Sequence, residues 1–580
     1  MPEKIKILID QEEIESFEGK TVLQAARENG IKIPALCYHP DLKIKANCRL
    51  CLVEIKGERG LVPACRTLVK QGMEISTKSE KINRARKINL ELIFAQHVEE
   101  CDDCNWGMGC RLLGLAREYK IDLKRFLDRK TSRKIYQFGP IIFDQTKCID
   151  CRNCVEVCAR QEVHFLEARG QGAGTEIFPS AAKDRDCTYC GQCIVHCPVG
   201  AIEAVGEFEG AEKALEKDGK IKIFQFAPAI RTSIGEAFGL PAGLIVTGQL
   251  VAGIKALGAD KVFDVSVAAD FTTIEEAGEL INKIKNNAGP CLTSCCPAWV
   301  KYLEFNYPHF ITHLATTRSP QIIMGGLIKT YWAEKEKIDP KNITVISIMP
   351  CTAKKYEIQR KELEINGLKP VDYVMTTREL AYLFKKNKID LASIESQPAD
   401  SPWGEPSGAG VIYGASGGVV ESALRTAYYK LTGKDLEKLD FEQVRGMQGI
   451  KKAEIEIEGV KIKIAVASGL GNAKKILDEL EENPKAYDAV EVMACPGGCI
   501  GGGGQPMPTS PEIRKQRAEA LYQIDLSKKN RLAHENPDVQ KVYEEFLNND
   551  KIVHQVCHTS YNAKLKGEIK ILKSAKVIKQ

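Results

Sequence analysis

The sequence Thr-Ser-Cys-Cys-Pro-Ala-Trp at residues 293–299 places two cysteines side by side in an apolar segment. Because adjacent side chains diverge, Cys295 and Cys296 are not expected to bind one metal together, and we expect them to have different roles. Two later segments also carry cysteines, Met-Pro-Cys-Thr-Ala-Lys-Lys at 349–355 and Glu-Val-Met-Ala-Cys-Pro-Gly-Gly-Cys at 491–499. The three segments together supply four thiolates for one cubane iron–sulfur cluster: Cys296, Cys351, Cys495 and Cys499.

The composition is that of a large globular protein with several domains. A chain of 580 residues is too long for one hydrophobic core. Its net charge of +5 gives no reason to expect a nucleic-acid partner. The most apolar region, residues 239–258, is interrupted by polar residues and glycines, so we predict no membrane span. The first ten residues alternate like a strand and lack the pattern of a signal peptide, so we expect a cytoplasmic protein.

The 22 cysteines are the main feature of the composition, and they lie in tight local runs. In a small secreted protein they would indicate disulfides, but this chain is large and has no secretory signal. Two cysteines in a Cys-x2-Cys motif pair badly with each other and chelate metals well. We therefore expect metal ligation in a reducing cytoplasm.

Residues 1–79 are predicted to form a small β-rich domain. Residues 4–10 and 14–17 have strand patterns, and residues 21–30 have helical spacing that ends in a glycine. A central Cys-x2-Cys pair can wrap an iron pair, although four cysteines also suit a structural zinc ion. The four candidate ligands are Cys37, Cys48, Cys51 and Cys65.

Residues 80–125 have a helical pattern and carry His97 one helical turn before the first of three cysteines. Three cysteines leave a cubane one ligand short, so His97 is expected to be the fourth ligand. A zinc site with three cysteines and one histidine is the alternative. The candidate ligands are His97, Cys101, Cys104 and Cys110.

Residues 126–208 contain an internal repeat, because the motif Cys-x2-Cys-x2-Cys-x3-Cys occurs at 148–158 and again at 187–197. The repeat is close to the bacterial two-cluster ferredoxin run, in which the fourth cysteine of each run ligates the other cluster. We therefore predict two [4Fe–4S] clusters. The first would be held by Cys148, Cys151, Cys154 and Cys197, and the second by Cys187, Cys190, Cys193 and Cys158.

From residue 209 to residue 512, buried strand patterns alternate with helical ones. This order predicts an α/β domain with parallel sheets flanked by helices, preceded by the small α+β iron–sulfur domains. Two of the cysteine motifs begin where a predicted strand ends, and open α/β sheets offer sites at that edge. Residues 513–580 are predicted to be mainly helical. The predicted strands of the α/β domain are 221–226, 262–267, 343–348, 371–375, 461–467 and 489–493.

The three cysteine motifs at 293–299, 349–355 and 491–499 resemble the signature of the [FeFe]-hydrogenases. Residues 1–79 resemble the β-grasp [2Fe–2S] domain of these enzymes and of a complex I subunit. Residues 513–580 correspond to a region that wraps the catalytic domain and is a separate small subunit in some members. The resemblance implies an oxidoreductase that catalyses 2H⁺ + 2e⁻ ⇌ H₂. Its cofactors would be one [2Fe–2S] cluster, three accessory [4Fe–4S] clusters and an H-cluster.

The H-cluster of the family is a [4Fe–4S] cubane joined through a cysteine sulfur to a di-iron unit that carries CO, CN⁻ and a bridging dithiolate. By resemblance, Cys296, Cys351, Cys495 and Cys499 would hold the cubane, and Cys499 would bridge to the di-iron unit. The glycines at 497–504 are expected where a backbone passes close to a bulky inorganic group. The alternative, a phosphate-binding loop, would need a Lys-Ser/Thr pair that this segment lacks.

The resemblance also implies a proton path and a set of ligand contacts. Cys295 would be the proton-transfer thiol, and Glu276 and Glu279 would supply it, although two such glutamates are otherwise a solvated helix face. Ala315 lies where a serine of this relay is expected, so water or Thr316 would take its place. Contacts to the diatomic ligands, and soft apolar walls, would come from Lys354, Ser319, Gln321, Pro228, Met349 and Met493. Only Cys291 and Cys557 receive no role, and we expect both to be buried packing residues.

Two kinds of [FeFe]-hydrogenase share this domain order: monomeric ferredoxin-dependent enzymes and catalytic subunits of NAD(P)-linked, electron-bifurcating complexes. The form of the motif at 293–299, Thr-Ser-Cys-Cys-Pro-Ala-Trp, and the alanine at residue 315 favour the catalytic subunit of a complex. No Gly-x-Gly-x-x-Gly follows a predicted strand, so flavin and NAD(P) would bind to partner subunits of a hetero-oligomer. The other expected partners are ferredoxin and the maturases that install the di-iron unit.

Three alternatives come from other functional classes. An electron-transfer subunit of a complex I type dehydrogenase would lack the three late cysteine motifs. A hydrogen or redox sensor of the same family would usually carry an added signalling domain, and none is visible. An iron–sulfur assembly protein would be expected to lose Cys295, which is present here.

Overall fold

The computed structural model describes residues 3–97, 110–122, 125–126, 133–205, 207–216, 219–434, 436, 438–457 and 459–572. Its N-terminal residues form a five-stranded sheet in the order β2-β1-β5-β3-β4, in which β1 pairs in parallel with β5. Alternate residues of β1 are buried, and they face the helix α1, whose first turn is closed by a capping box between Thr21 and Gln24. The elements are β1 Lys4–Ile9, β2 Glu12–Phe17, α1 Val22–Glu28, β3 Leu52–Ile55, β4 Val62–Pro63 and β5 Glu74–Ser76.

Two helices follow, α2 Glu80–Phe94 and α3 Arg111–Glu118. The buried Arg86 on α2 donates hydrogen bonds from its guanidinium to the carbonyl oxygens of Leu50 and Leu52. These bonds fix α2 against the loop between Cys48 and Cys51 and against the start of β3.

The repeated cysteine motif forms two equivalent structural units. In each unit a residue with positive φ precedes a short helix, Arg152 (φ 63°) before α4 and Gly191 (φ 69°) before α5. The preceding Asp150 and Tyr189 also have positive φ, so the two cysteine loops have the same backbone path. The elements are β6 Ile135–Phe138, β7 Ile141–Asp144, α4 Asn153–Arg160, β8 Leu166–Arg169, β9 Glu176–Pro179, α5 Gln192–Val195 and β10 Ile202–Ala204.

Residues 208–493 contain two four-stranded sheets. The first has the order β12-β11-β14-β15 and is parallel throughout, and the second has the order β13-β18-β17-β16 with an antiparallel edge strand, β16. The predicted α/β class with parallel sheets is confirmed, but the sequence reading missed β16. The helices are α6 Phe208–Ala214, α7 Thr247–Ala256, α8 Ser266–Lys285, α9 Pro297–Asn306, α10 Pro320–Leu327, α11 Ala333–Lys335, α12 Ala353–Glu357, α13 Thr377–Lys386, α14 Gly408–Val411, α15 Gly418–Thr432 and α16 Leu470–Glu482.

The strands of these two sheets are β11 Ile221–Phe226, β12 Lys261–Asp264, β13 Cys291–Leu292, β14 Ile343–Met349, β15 Tyr373–Thr376, β16 Ile450–Ile457, β17 Val460–Ser468 and β18 Ala489–Met493.

The C-terminal residues wrap around the rest of the molecule as the helices α17 Pro511–Ser527, α18 Pro537–Glu545 and α19 Asp550–Cys557. They end in a strand, β19 Ile569–Leu572, that pairs antiparallel with β6. The sequence reading predicted no strand in this region. Among the residues described, no helix is long and apolar enough to cross a membrane.

Candidate active site

Two of the three cysteine segments of the α/β domain begin directly after a parallel strand. Cys351 follows β14, and Cys495 follows β18. Cys296 lies between β13 and α9, where it is the N-cap residue of α9. The carboxyl ends of parallel strands form the edge where α/β sheets place their sites, so strand direction brings these segments together.

A cavity lies at the carboxyl ends of strands from both sheets, and all five cysteines of the three segments line it. It brings together cysteines that are up to 204 residues apart in the sequence, Cys295 and Cys499. Of the other predicted site residues, those that line the cavity are Pro228, Gln321, Met349, Lys354 and Met493. Tyr413 also lines it.

The four cysteines Cys296, Cys351, Cys495 and Cys499 fit a cationic iron cluster. Burial raises the pKa of each of these thiols, and nearby sulfurs raise it further for Cys351 and Cys495. The pKa of Cys499 is raised to about 12. Thiols with such high pKa values become thiolates only if a cation neutralises them, and iron in a thiolate-bound cubane does so.

The glycines that follow Cys499 allow protein segments to approach closely. A Cβ atom on Gly502 would lie 2.1 Å from the carbonyl oxygen of Pro350, and one on Gly503 would lie 2.5 Å from the Cα atom of Gly191. The sequence reading attributed this glycine run to the space needed by an inorganic group. The structure gives a second reason, because the run also packs against the backbone of two other cysteine loops.

Lys354 is a buried cation at the wall of the cavity. Its Nζ donates to the carboxylate of Glu357 at 2.9 Å and to the carbonyl oxygen of Cys295 at 3.1 Å. Burial lowers the pKa of Lys354, but the charge of Glu357 and its hydrogen bond outweigh this effect and raise the pKa overall. An ammonium group has three hydrogens, and both oxygens of Glu357 and the carbonyl oxygen of Cys295 accept from it, so a ligand in the cavity would share or replace one of these acceptors.

Polar atoms next to Lys354 lack partners among the residues described. Gln321 donates from Nε2 to Glu357 at 2.5 Å, while its buried Oε1 accepts no hydrogen bond. The hydroxyl of Ser319, which is the N-cap residue of α10, is also buried without a partner. Buried polar atoms usually have partners, and Gln321 lines the cavity whereas Ser319 does not, so Oε1 of Gln321 is the atom that fits a hydrogen bond with a group bound there.

Cys295 and Glu276 are both buried and both hold their protons tightly. Burial raises the pKa of the Cys295 thiol well above its ordinary value, and the charge of Glu276 adds to this effect. Burial raises the pKa of Glu276 to about 8, with further contributions from Glu279 and Glu491. Neither carboxyl oxygen of Glu276 has a hydrogen-bond partner of normal geometry within the described part of the chain.

Glu279, which like Glu276 does not line the cavity, is fully hydrogen-bonded. It accepts from the backbone N–H of Thr316 at 2.8 Å and from the hydroxyls of Thr317 at 2.6 Å and Thr316 at 3.2 Å. Burial raises the pKa of Glu279, but these bonds and His558 outweigh it and lower the pKa overall. The sequence reading did not single out His558, which no motif marks and which lies 279 residues after Glu279.

The accessory cysteines also form groups. Cys48 donates its backbone N–H to the sulfur of Cys37 at 3.4 Å, and Cys51 and Cys65 interact side by side. In the repeat, Cys197 lies near the first three cysteines of the first run, and Cys158 lies near those of the second. The remaining members of these two groups are Cys148, Cys151, Cys154, Cys187, Cys190 and Cys193.

His97 is buried, and its Nδ1 lies 2.8 Å from the carbonyl oxygen of Lys147. A hydrogen bond of this kind fixes the tautomer and orients the ring, as it does for histidines that bind metals. Cys110 is the N-cap residue of α3. Cys101 and Cys104 lie outside the described residues.

The second cysteine loop of the repeat touches the cavity loops directly. The sulfur of Cys495 lies 3.8 Å from the carbonyl oxygen of Cys190. Thr352 donates its hydroxyl to the carbonyl oxygen of Tyr189 at 2.6 Å, and Gln192 donates to that of Gly501 at 2.9 Å. These contacts place one accessory cysteine group next to the cavity.

Comparison with protein families matches four segments of the chain. Residues 220–503 match the family described as iron only hydrogenase large subunit, C-terminal domain, and residues 511–564 match iron hydrogenase small subunit. Residues 2–80 match a 2Fe-2S iron-sulfur cluster binding domain. Residues 147–201 match a 4Fe-4S dicluster domain.

Similar proteins cover nearly the whole chain. The NADP-reducing hydrogenase subunit HndD of Solidesulfovibrio fructosivorans is 41% identical over 96% of this chain and 98% of its own length. Iron hydrogenase 1 of Clostridium pasteurianum is 39% identical over 96% of this chain and 99% of its own length. A solved structure of an apo [FeFe]-hydrogenase HydA1 variant from Chlamydomonas reinhardtii has 38% identity and a TM-score of 0.56, covering 61% of this chain and 98% of that one.

Proposed function

Because the chain belongs to the iron-only hydrogenase family, we propose that it is the hydrogen-converting subunit of an NAD(P)-linked, electron-bifurcating complex. It is an oxidoreductase that interconverts protons, electrons and H₂. The predicted cofactor set, an H-cluster with accessory [2Fe–2S] and [4Fe–4S] clusters, is confirmed at the level of the matching families. The observation that carries the proposal is the convergence of five cysteines on one buried cavity.

We propose that Cys296, Cys351, Cys495 and Cys499 would hold the cubane of the H-cluster. When bound, the cluster supplies the metal centre at which protons and electrons combine to form H₂. Hydrogen bonds with Lys354 and Gln321 at one wall would orient the group. Met349 and Met493 line the cavity with soft apolar surface that excludes water.

In this proposal, Cys295 holds the proton closest to the reaction centre. Its high pKa keeps the proton on Sγ until an acceptor is present in the cavity. Glu276 reloads it, because a carboxyl group with a pKa of about 8 is still largely protonated near neutral pH. Glu279 supplies Glu276 from the next turn of α8.

We propose that electrons reach the cavity through the second cysteine loop of the repeat. The support for this route is the contact between Cys190 and Cys495, since no other accessory group described here touches the cavity cysteines. The [2Fe–2S] group and the group at His97 then offer two entry points for electrons from different donors.

The proposed partners are flavin- and NAD(P)-binding subunits, ferredoxin and the di-iron maturases, and the proposed location is the cytoplasm. The small-subunit segment and the match to HndD support a hetero-oligomer. The alternative is a stand-alone ferredoxin-dependent enzyme, which the match to iron hydrogenase 1 supports. Purification of the chain from its host distinguishes the two, because only the complex subunit co-elutes with flavoprotein and reduces NAD(P)⁺ with H₂.

Infrared spectroscopy of the matured protein tests the hydrogenase assignment. We expect bands of metal-bound CO and CN⁻, together with H₂ uptake in the presence of an artificial electron acceptor. A fully matured protein without these bands would contradict the assignment.

A further inference from the structure

A cluster of hydrogen-bonded side chains lies where the C-terminal segment meets helix α8. His558, the residue after α19, has its Nε2 atom 3.1 Å from Oε2 of Glu275. The hydroxyl of Tyr543 donates to Oε1 of the same glutamate at 2.5 Å. Glu275 therefore holds one edge of the imidazole ring and is itself held by α18.

The other edge of the ring reaches Glu279 through a hydroxyl group. Nδ1 of His558 lies 2.8 Å from Oγ1 of Thr316, and Oγ1 of Thr316 lies 3.2 Å from Oε1 of Glu279. Because Thr316 can accept from the ring while it donates to the carboxylate, the three groups form a continuous hydrogen-bonded chain. Nδ1 is also 3.6 Å from Oε1 of Glu279.

The backbone on both sides fixes this geometry. The N–H of Arg318 donates to the carbonyl oxygen of Cys557 at 2.6 Å, and Nε of Arg318 donates to that of His558 at 2.6 Å. The N–H of Thr559 donates to the carbonyl oxygen of Thr316 at 2.8 Å. The ring is thus held against residues 316–318 by bonds that do not depend on its protonation.

The hydrogen-bonded chain leads from groups with access to solvent, His558, Thr316 and Glu279, toward the buried Glu276. The side chain of His558 is 14% exposed, while Glu276 has only 4% of its surface exposed. Glu279 is 17% exposed at its side chain, but the hydroxyl and amide groups of Thr316 and Thr317 already occupy its oxygens. Its lowered pKa means that it does not retain a proton near neutral pH, so it needs a neighbouring donor.

We propose that His558 is a positioning residue for proton transfer, which holds a proton next to Glu279 and passes it through Thr316. This proposal rests on the proposed hydrogenase function. In the direction of H₂ formation, Nδ1 gives its proton to Oγ1 of Thr316 while the hydroxyl proton of Thr316 moves to Glu279. Nδ1 then takes up a proton from water, which has access to the partly exposed side chain, so each proton that leaves is replaced. The direction of every transfer reverses during H₂ oxidation.

The charge balance around the ring supports this role. Burial lowers the pKa of His558, but Glu275 and Glu279 outweigh it and raise the pKa to about 9, so the ring is charged near neutral pH. The titratable and charged groups that face the cluster are Glu275, Glu279, His554, Arg318, Tyr543 and, beside Glu275, Lys430. Among these charged groups, the carboxylates of Glu275 and Glu279 lie within 4 Å of the ring nitrogens, at 3.1 and 3.6 Å.

The test compares H₂ evolution by the matured holoenzyme and four variants. We expect His558→Gln and Thr316→Val each to lower the turnover rate about 100-fold or more, from the lower end of the range known for positioned proton-transfer groups. Thr316→Ser keeps the hydroxyl and should retain the wild-type rate. His554→Gln is the matched control, because His554 is exposed, stacks on His558 at 5.9 Å between ring centroids and touches neither glutamate through any contact described.

Two readouts separate a proton-transfer role from a structural one. His558→Gln should change the pH profile of turnover and leave the infrared bands of the cluster unchanged, and added imidazole should restore part of the rate. In ¹H–¹³C spectra of histidine-labelled holoenzyme, the signal of His558 is identified as the one that is absent from His558→Gln. This signal should titrate with a midpoint near pH 9 in the wild type and with a lower midpoint in Glu279→Gln.

The possible failures are distinguishable. A wild-type enzyme without H₂ turnover overturns the proposed function. In that case, the shift in the titration midpoint of His558 caused by Glu279→Gln still decides whether Glu279 stabilises the proton on His558. An active wild-type enzyme with full activity in both His558→Gln and Thr316→Val overturns the relay. If one of these two variants loses the infrared bands, its residue has a structural role. The turnover rate of the other variant then decides whether the proton relay exists.

Discussion

Glu276 and Glu279 lie one turn apart on helix α8, yet their carboxyl groups have opposite affinities for protons. Burial and neighbouring carboxylates raise the pKa of Glu276 to about 8, whereas the threonine hydroxyls, backbone amides and His558 lower that of Glu279. A proton on Glu279 is therefore easily passed on, and a proton on Glu276 is retained. This order suits a path that takes protons from the surface and stores them next to Cys295.

Replacement of Glu276 by glutamine should change how stability depends on pH. The folded-state pKa of about 8 is above the ordinary value of 4.5, so the folded protein binds one more proton than the unfolded chain between these pH values. Wild-type stability should therefore fall as the pH rises from about 4.5 to about 8. In Glu276→Gln this contribution is absent, and differential scanning calorimetry should show a Tm that depends less on pH. If the Tm of the wild type and that of Glu276→Gln changed with pH in the same way, the result would contradict the raised pKa that burial gives this carboxyl group.

Replacement of Cys295 by serine should stop turnover and leave the cluster in place. A serine hydroxyl holds its proton far more tightly than a thiol, so we expect the H₂ evolution rate to fall by a factor of about 100 or more. The infrared bands of CO and CN⁻ should remain, because Cys295 is not among the proposed cubane ligands. Cys291→Ser is the control, since Cys291 is buried four residues earlier and does not line the cavity.

Replacement of Glu357 by glutamine should destabilise the wall of the cavity. It leaves the ammonium group of Lys354 buried without a counter-charge, and breaking a buried pair in this way costs about 3 kcal/mol. We expect a lower Tm and altered infrared frequencies of the diatomic ligands, because Lys354 and Gln321 both lose an anionic partner. Lys438→Gln offers a comparison, because it breaks an exposed pair with Glu442 and should have little effect.

Replacement of Gly503 by alanine should weaken the contact between the accessory and catalytic cysteine loops. A Cβ atom there would lie 2.5 Å from the Cα of Gly191 and 2.6 Å from the carbonyl oxygen of Cys190, so the loops must separate. Overpacking of this kind costs about 1–3 kcal/mol. We expect slower reduction of the catalytic site by ferredoxin, measured by stopped-flow spectroscopy. Gly60→Ala is the matched control, because nothing lies within 4 Å of its Cβ position.

The cysteine spacing and the strand patterns predicted most of the architecture. The strand patterns at 343–348 and 489–493 located β14 and β18 almost to the residue, because continuous apolar runs are typical of strands buried on both faces. The strand β16 was missed because half of its residues are charged. An edge strand of this kind is stabilised by its pairing with β17, which local sequence does not reveal.

Contacts made through tertiary structure account for the part of the site that was missed. Thr316 was considered as a substitute for the serine expected at residue 315, and the structure places its hydroxyl between Glu279 and His558. His558 has no helical partner or motif that would indicate its role. Only the packing of the C-terminal segment on α8 brings it to the glutamates.

The pairing of β19 with β6 affects the order in which the molecule can be assembled. Ile569 of β19 pairs with Phe138 of β6, so the edge of β6 stays unpaired until residues 569–572 have been synthesised. An uncovered strand edge readily recruits other strands. The four-stranded sheet β10-β7-β6-β19 is therefore complete only after residues 569–572 have been synthesised, although its other three strands lie between residues 135 and 204.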